Sequence, residues 1–537
     1  MTSSAQSRPD VTRSAQPPHT ATAVPGRERG AGLLSLWPGL LTLALCLYQA
    51  GRPQLWRDEI ASASAASRSF GQLFGLLGKV DASTGCYYLL LHLWVTLFGS
   101  SPTALRTPSA IAMAGAAVLV TQIGARLYDR ATGLAGGLAF AVIPAVSRFG
   151  QEARAYALAL FAVALATLLL LRALERSGAG RWVGYGAAAV LVCVAHVVAI
   201  SCLIGHLVAV VLHWRRHRDP RPVRWFAGTV PAALALAAPL LLLAHSQVNT
   251  QLSWLARPDL ARPQHVALDL WVDLYASRVG ALAAALLVAV GVVLPVLLKR
   301  RRTATLFLAA SGVLPVIAVA LVSELGTSYF LGRYLLFTDI AWSVLAGAGL
   351  VGAVRELAAR VRLPQGGRRY LVPVGAVAAV ALGLLAVWPN QQGVRAYGAH
   401  EWTHYPRGPK PPYYAYQGTA DLLAKDARPG DGVAYMGYNP IMLNLGVPYY
   451  LRSRVSLDQV FAARTPIQDD GYYPRFCTSP AACLATAPNR IWLVELHDSR
   501  GEPAAERAQK RQLRKLYRVS VEYHLSLVDV SLMLRRT

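Results

Sequence analysis

Apolar runs separated by short polar segments fill the chain from Ala31 to Trp388. One bilayer crossing takes roughly 20 such residues. The pattern predicts a first span over Ala31 to Gln49, a second over Leu105 to Leu127, a short third over Thr132 to Val146 and a fourth over Ala157 to Leu171. Trp182 to Trp214 is too long for one crossing and divides near His196 into two short ones. Further spans follow over Trp225 to His245, between Ser277 and Lys299, over Thr305 to Val322, between Tyr334 and Arg355, and over Tyr370 to Trp388, which makes about eleven. Two runs do not fit. SASAASRSFGQLFGLLGKV is too polar to span and CYYLLLHLWVTLFG too short, so both suit amphipathic helices lying in the interface, within a large first outer loop over residues 50–104.

Basic residues set the orientation. The segments 215–224 and 355–369 carry about five Lys or Arg each, against about four in the whole of 50–104, and short basic loops resist translocation. This predicts a cytosolic N-terminus, a final exit at Trp388 and an exported C-terminus. Residues 1 to about 30, rich in Ser, Pro, Thr and Arg, read as a disordered cytosolic tail. The apolar run after Arg29 lies too far in, and lacks the small-residue cleavage site, for a cleavable signal.

After Pro389 the composition becomes that of a soluble domain. Asp421 to Gly437 reads as helix, Pro-Gly turn and strand, IWLVEL (Ile491 to Leu496) as a strand, and the Arg-rich stretch near Lys510 as a helix. The fold class predicted is therefore an all-α polytopic membrane domain over 31–388 with an extracytoplasmic α/β domain over 389–537. Composition agrees: 54% hydrophobic and 15% charged residues, with mean hydropathy +0.36, leave too little polar surface for a soluble globule of this length. The net charge of +25 sits between apolar runs, which points to a lipid bilayer and not to nucleic acid. Cys46, Cys86, Cys193 and Cys202 read as small core residues; Cys477 and Cys483 are equally compatible with a disulfide and with two free thiols.

Candidate chemistry concentrates at the ends of the spans. WRDE, immediately after the first span, carries Asp58 and Glu59; neighbours on a helix face different ways, so one points into a site while the other caps the helix or pairs with Arg57. RFGQEARAY, Arg148 to Tyr156, falls on the same predicted side and brings Arg148, Glu152 and Arg154. A charged residue at the edge of a span must face protein or water. Arg333 and Tyr334 in the late GRY segment are an interfacial anchor or a grip on lipid phosphate, for which a guanidinium is geometrically suited. His92, His196, His206 and His213 show no metal-ligand spacing and read as core or interface histidines. No P-loop, GxSxG or soluble nucleotide-sugar motif is present, so if the chain transfers a sugar it would draw on a lipid donor and not on a cytosolic nucleotide one.

Together, the WxDE loop, Asp81 to Trp94 (DASTGCYYLLLHLW), LRTPSA (Leu105 to Ala110), RFGQEARAYAL and GRY resemble GT-C fold glycosyltransferases of the protein mannosyltransferase and aminoarabinose transferase superfamily, in particular their actinobacterial members. The resemblance is strongest over residues 50–175. It implies transfer of a sugar from a polyprenyl-phosphate-linked donor to a cell-envelope glycan or protein acceptor, with Asp58 as catalytic acid–base residue, Glu59 and Glu152 as further acidic members, and Asp81, Tyr87, Arg148, Arg154, Tyr156, Arg333 and Tyr334 around the substrates. Mannose is the modal sugar; arabinofuranose from a decaprenyl carrier is the alternative. Relatives with DxHPPxYY have a histidine and prolines where this chain has Ser83 to Gly85, and whether a divalent cation takes part stays open. A transporter or lipid flippase is the reading from another class; charges at the outer face, the appended domain and the lack of internal repeats favour the enzyme.

Overall fold

The structure is a computed structural model and describes residues 26–297, 301–360, 365–401, 413–436, 441–497 and 502–536. Helix α1, Gly26–Leu47, takes in the first apolar run. Of the expected tail, residues 1–25 lie outside the described residues and 26–30 are already helical.

All eleven predicted apolar segments are helices, but they are not equally fit to cross a membrane. Among the described residues eight helices are long and apolar enough, or nine if the pair Arg130–Val142 and Pro144–Gly150, bent by 64°, counts as one. Length and composition alone thus single out eight or nine of the eleven among the described residues. The remaining two are α1, 22 residues long with its apolar part from Leu33 to Leu47, and Ala179–Ala195, whose 17 residues are slightly fewer than the roughly 20 of a full crossing. The 64° bend follows from Pro144, which has no N–H to donate and holds Ile143 in an extended conformation. The long run from Trp182 also breaks where expected: the helix ends at Ala195, His196 is extended, and a 3₁₀ turn, Val197–Ser201, leads into Cys202–His217.

Small residues let the bundle close. A Cβ on Gly349 would run into the carbonyl of Leu287, and one on Gly291 into that of Leu345. Helices Arg278–Leu297 and Asp339–Arg360 thus cross backbone to backbone, as membrane helices packed through small residues do.

The loop over 50–104 folds into α2 (Arg57–Ala66), α3 (Phe70–Lys79), a 3₁₀ turn (Ala82–Thr84) and α4 (Gly85–Phe98), before α5 (Pro102–Leu127). Ser69 caps α3, with Gln72 returning the bond. Phe70, Phe74, Leu93, Leu97 and Phe98 are exposed, as the amphipathic reading requires.

The C-terminal region is α/β. Helix Tyr416–Asp426 is followed by a turn at Gly430, whose φ of +85° favours glycine, and by strand β1, Gly432–Tyr435. With β2 (Asp458–Gln459), β3 (Ala462–Arg464), β4 (Arg475–Phe476), β5 (Arg490–Leu496), β6 (Tyr517–Leu525) and β7 (Val528–Arg535), the main sheet runs β2-β1-β5-β7-β6 and β3 pairs with β4. β1 is parallel to β2 and β5, while β7 is antiparallel to β5 and β6. Cys477 and Cys483 are joined in a disulfide. One hydrophobic core joins Leu55, Ile60, Leu73 and Tyr88 of the 50–104 loop to Tyr416, Val447, Trp492 and Val530. The α/β domain is therefore seated on the loop that carries WRDE.

Candidate active site

Residues 57–59 form the first turn of α2, and the helical offset sends Asp58 and Glu59 to different surroundings. Glu59 is fully buried. Its two oxygens accept from Arg106 Nε at 2.8 Å and Arg106 Nη2 at 2.6 Å, and Ala153 N adds a third bond at 2.9 Å. Arg106 also donates to the carbonyls of Ala50, Pro53 and Gln54. A single guanidinium thus fastens the turn that leaves α1 to the start of α2. His400 completes the pocket, with Nδ1 3.7 Å from Glu59. Burial alone would raise the Glu59 carboxyl, but the charge and hydrogen bonds of Arg106, aided by His400, outweigh it and hold the group well below the usual carboxylate range.

Glu152 is sealed beside it. It accepts from Trp56 Nε1 at 3.1 Å and pairs with Arg148 one turn earlier, while Arg148 Nη2 donates to the His400 carbonyl at 3.2 Å. Burial, opposed by Arg148 and seconded by the nearby Glu59 charge, pushes Glu152 above its ordinary value.

Asp58 faces a different direction and keeps 14% of its side chain exposed. Arg57 Nε donates to it at 3.1 Å, and Arg333 Nη2 stands 3.8 Å away. Of the two carboxylates it is Asp58 that pairs with Arg57, because Arg106 has already claimed Glu59. Burial pushes the Asp58 carboxyl up, while Arg57, Arg154 and Arg333 more than offset it and keep it below the usual range. The group is a carboxylate at neutral pH.

Around Asp58 the cations are held by aromatic and phenolic groups. The Arg333 guanidinium lies 5.4 Å from the Trp56 ring centroid and 5.7 Å from those of Tyr156 and Tyr334. Arg154 Nη1 donates to Tyr88 Oη at 2.8 Å and stands 3.8 Å from Asp81. Asp81 accepts from Tyr88 Oη at 2.6 Å and from Tyr472 Oη, on the C-terminal domain, at 2.9 Å. Glu152 and Arg154, two residues apart, therefore serve separate clusters. Both Arg154 and Arg333 retain a buried Nε–H without a partner among the described residues.

Tyr87 takes no part in this opening: its hydroxyl is buried against Ser109 Oγ at 2.9 Å. Tyr156 and Tyr334 pack with His196, their ring centroids 5.7 and 4.9 Å from the imidazole. At residues 81–85 the one metal-type ligand is Asp81, and two phenols already occupy its Oδ2, so the described residues do not gather a divalent-cation site there.

Five residues central to this arrangement were not singled out by sequence: Trp56, Tyr88, Arg106, His400 and Tyr472. Arg106 carried a signal, since an arginine one turn inside an apolar span demands a buried acidic partner. His400 and Tyr472 carried none; they come from 294 and 391 residues beyond the groups they meet.

Residues 86–243 match the family model described as dolichyl-phosphate-mannose-protein mannosyltransferase. No curated protein matches the chain significantly. Among solved structures, ArnT from Cupriavidus metallidurans in the apo state aligns over 94% of this chain and 98% of its own, with TM-score 0.56 and 15% identity. The same protein bound to undecaprenyl phosphate aligns over 95% and 98%, with TM-score 0.53 and 14% identity. The fold is the GT-C fold in its ArnT-like form.

Proposed function

We propose that this chain, with the GT-C fold of the protein mannosyltransferase and ArnT type, is a multi-pass membrane glycosyltransferase that moves a sugar, mannose, from a polyprenyl-phosphate donor to an extracytoplasmic cell-envelope or protein acceptor. The observation that carries the reading is the setting of Asp58: an ionised, partly open carboxylate beside two guanidiniums, Arg154 and Arg333, each with a spare buried N–H. A phosphate is the anion that such a pair of forks recognises. The solved neighbour crystallised with undecaprenyl phosphate supports a lipid carrier, and the matching family description supports mannose.

In the reaction, the acceptor hydroxyl attacks the anomeric carbon, its proton passes to Asp58, and the bond from that carbon to the phosphate oxygen breaks, with inversion. The negative charge that grows on the polyprenyl phosphate falls to Arg154 and Arg333, and such fixed charges do most of the electrostatic work of a transfer of this type. Arg333 is only loosely engaged with Asp58, so a donor phosphate competes for it. Its departure removes a cation from the carboxylate and makes Asp58 a stronger base. Glu59 and Glu152 act by positioning the loop and not as proton acceptors.

The test is incubation of the purified protein with radiolabelled polyprenyl-phosphate mannose, with the arabinofuranose-bearing donor in parallel, and a cell-envelope acceptor fraction. Mannose transfer is expected; transfer of the pentose alone reassigns the sugar, and movement of donor across vesicles without transfer replaces the enzyme by a transporter. Orientation belongs to the same proposal. Reporter fusions after Arg302 and after Asn390 are expected on opposite sides, with the second outside the cytosol.

A further inference from the structure

A second cluster of chemistry lies on the C-terminal sheet, away from Asp58. His497 follows the last residue of β5, His524 is on β6 and Asp529 on β7. The sheet register brings them together: His524 is paired directly with Asp529 across β6 and β7, and the ladder continues past β5 through the bond from His497 N to Leu527 O at 3.0 Å. His524 Nδ1 lies 2.7 Å from Asp529 Oδ1, and His497 Nδ1 lies 3.1 Å from Oδ2. One ligand atom from each of the three falls within 4.8 Å of the others, and among the described residues this is the one such group of His, Cys, Asp and Glu side chains.

We propose that His497, His524 and Asp529 bind a divalent transition-metal ion of the zinc type. Zinc holds imidazole nitrogen and carboxylate oxygen at about 2.0–2.2 Å in a tetrahedron, which separates neighbouring ligand atoms by roughly 3.3 Å. The His497–Asp529 distance already has that value within a few tenths of an ångström. His524 has to withdraw by about half an ångström, a small adjustment relative to that spacing, and its side chain is 65% exposed. Two imidazoles with one carboxylate are the donor set of zinc and its transition-metal neighbours and not of magnesium or calcium, which take oxygen. Three protein ligands leave the fourth position to water.

The ion would tie the end of β5 to the β6–β7 hairpin. That hairpin holds the chain leading to the catalytic loop: Tyr413 N donates to Ser526 Oγ at 3.0 Å and Leu527 N to the Tyr413 carbonyl at 3.3 Å, while the Tyr414 carbonyl accepts from Gln54 Nε2. The carbonyl of Gln54 in turn accepts from Arg106. Metal binding therefore stiffens the edge on which the domain meets residues 50–59.

The experiment is titration of the tag-free, chelator-treated full chain in detergent with Zn²⁺ by calorimetry and with Co²⁺ by visible absorption. One equivalent of each should bind, Co²⁺ with the intense bands of a tetrahedral adduct, and Zn²⁺ should raise the melting temperature. His497→Ala with His524→Ala should lower the affinity at least tenfold and abolish the zinc-dependent rise. Both imidazoles are exposed, so the variant should melt within about 2 °C of the metal-free wild type; if it does not, the Gln pair at the same positions takes its place. Equal zinc stoichiometry and affinity in wild type and variant overturn the proposal.

Discussion

Two carboxylates adjacent in the chain occupy opposite environments. Glu59 has every oxygen committed and no exposed surface, closed in by Arg106, Ala153 N and His400. Asp58 is part exposed, has one close partner and looks onto guanidiniums with donors to spare. The difference separates a charge committed to its partners from one still open to a substrate. A carboxylate that is fully paired away from water fixes structure, because its charge has nowhere else to go. One that is ionised, reachable and only loosely balanced can take a proton from a substrate.

The strongest way to break this contrast is Asp58→Asn, which keeps shape and removes basicity. A general base contributes about 10²–10⁴-fold in rate, so transfer should fall by that factor while yield and melting temperature in detergent stay those of the wild type. If Asp58 served only the first turn of α2, asparagine would substitute with little loss. Near-normal transfer by this variant would remove Asp58 from the mechanism.

Glu59→Gln or Arg106→Leu should do the reverse. Either leaves a buried charge without its partner, which costs about 3–5 kcal/mol, so the effect should appear first as lost folded protein and a lower melting temperature. A variant at Glu59 that is as stable as wild type and yet inactive would erase the distinction and make Glu59 the base.

How far this contrast was legible in the sequence depended on distance along the chain. Apolar period and basic loops located all eleven helical segments, because those signals are local. They did not fix helix length: Ala179–Ala195 is an apolar helix yet has 17 residues, against the roughly 20 of a full crossing. WRDE and QEAR pointed to the site through charge placed at span ends. Which of Asp58 and Glu59 stays open was not readable: that is decided by Arg106, 47 residues on, and by the imidazole of His400, brought in by the segment that follows the last apolar helix. The same limit hid Tyr472, whose hydroxyl reaches Asp81 from a domain seated by hydrophobic contact. Residue type marked the candidates; only tertiary packing set their surroundings apart.

Arg333 sharpens the open half of the comparison with a smaller effect. Hydrogen bonds to a charged group contribute about 1.5–3 kcal/mol, so Arg333→Ala should weaken donor binding roughly 10- to 100-fold. Arg333→Lys should lie between, since it keeps the charge and loses the planar fork. Equal donor affinity in a competition assay with polyprenyl phosphate for wild type and both variants would reduce Arg333 to a membrane-edge anchor.

The sealed half makes a prediction in pH. Burial, followed by Arg148 and then Arg106, lowers the His400 imidazole to about 3, although Glu59 pulls the other way. An unfolded histidine titrates near 6.5, so between these values the unfolded chain binds a proton that the folded one refuses. Stability from this group is therefore complete above about 6.5 and declines as pH falls toward 3, by roughly 2 kcal/mol at pH 5. Glu59 has the opposite partner and a lower window: its depressed carboxyl gives stability that is fully present above the ordinary glutamate value and fades only below it. Melting curves in detergent between pH 5 and 7 thus separate imidazole titration from Glu59, and the His400→Gln variant separates this imidazole from the others. Wild type should lose melting temperature across that interval, and His400→Gln, which cannot titrate, should lose less. The same slope in both proteins would mean that His400 takes up its proton without disturbing the Glu59–Arg106 pair, and that the pocket is less sealed than its geometry indicates.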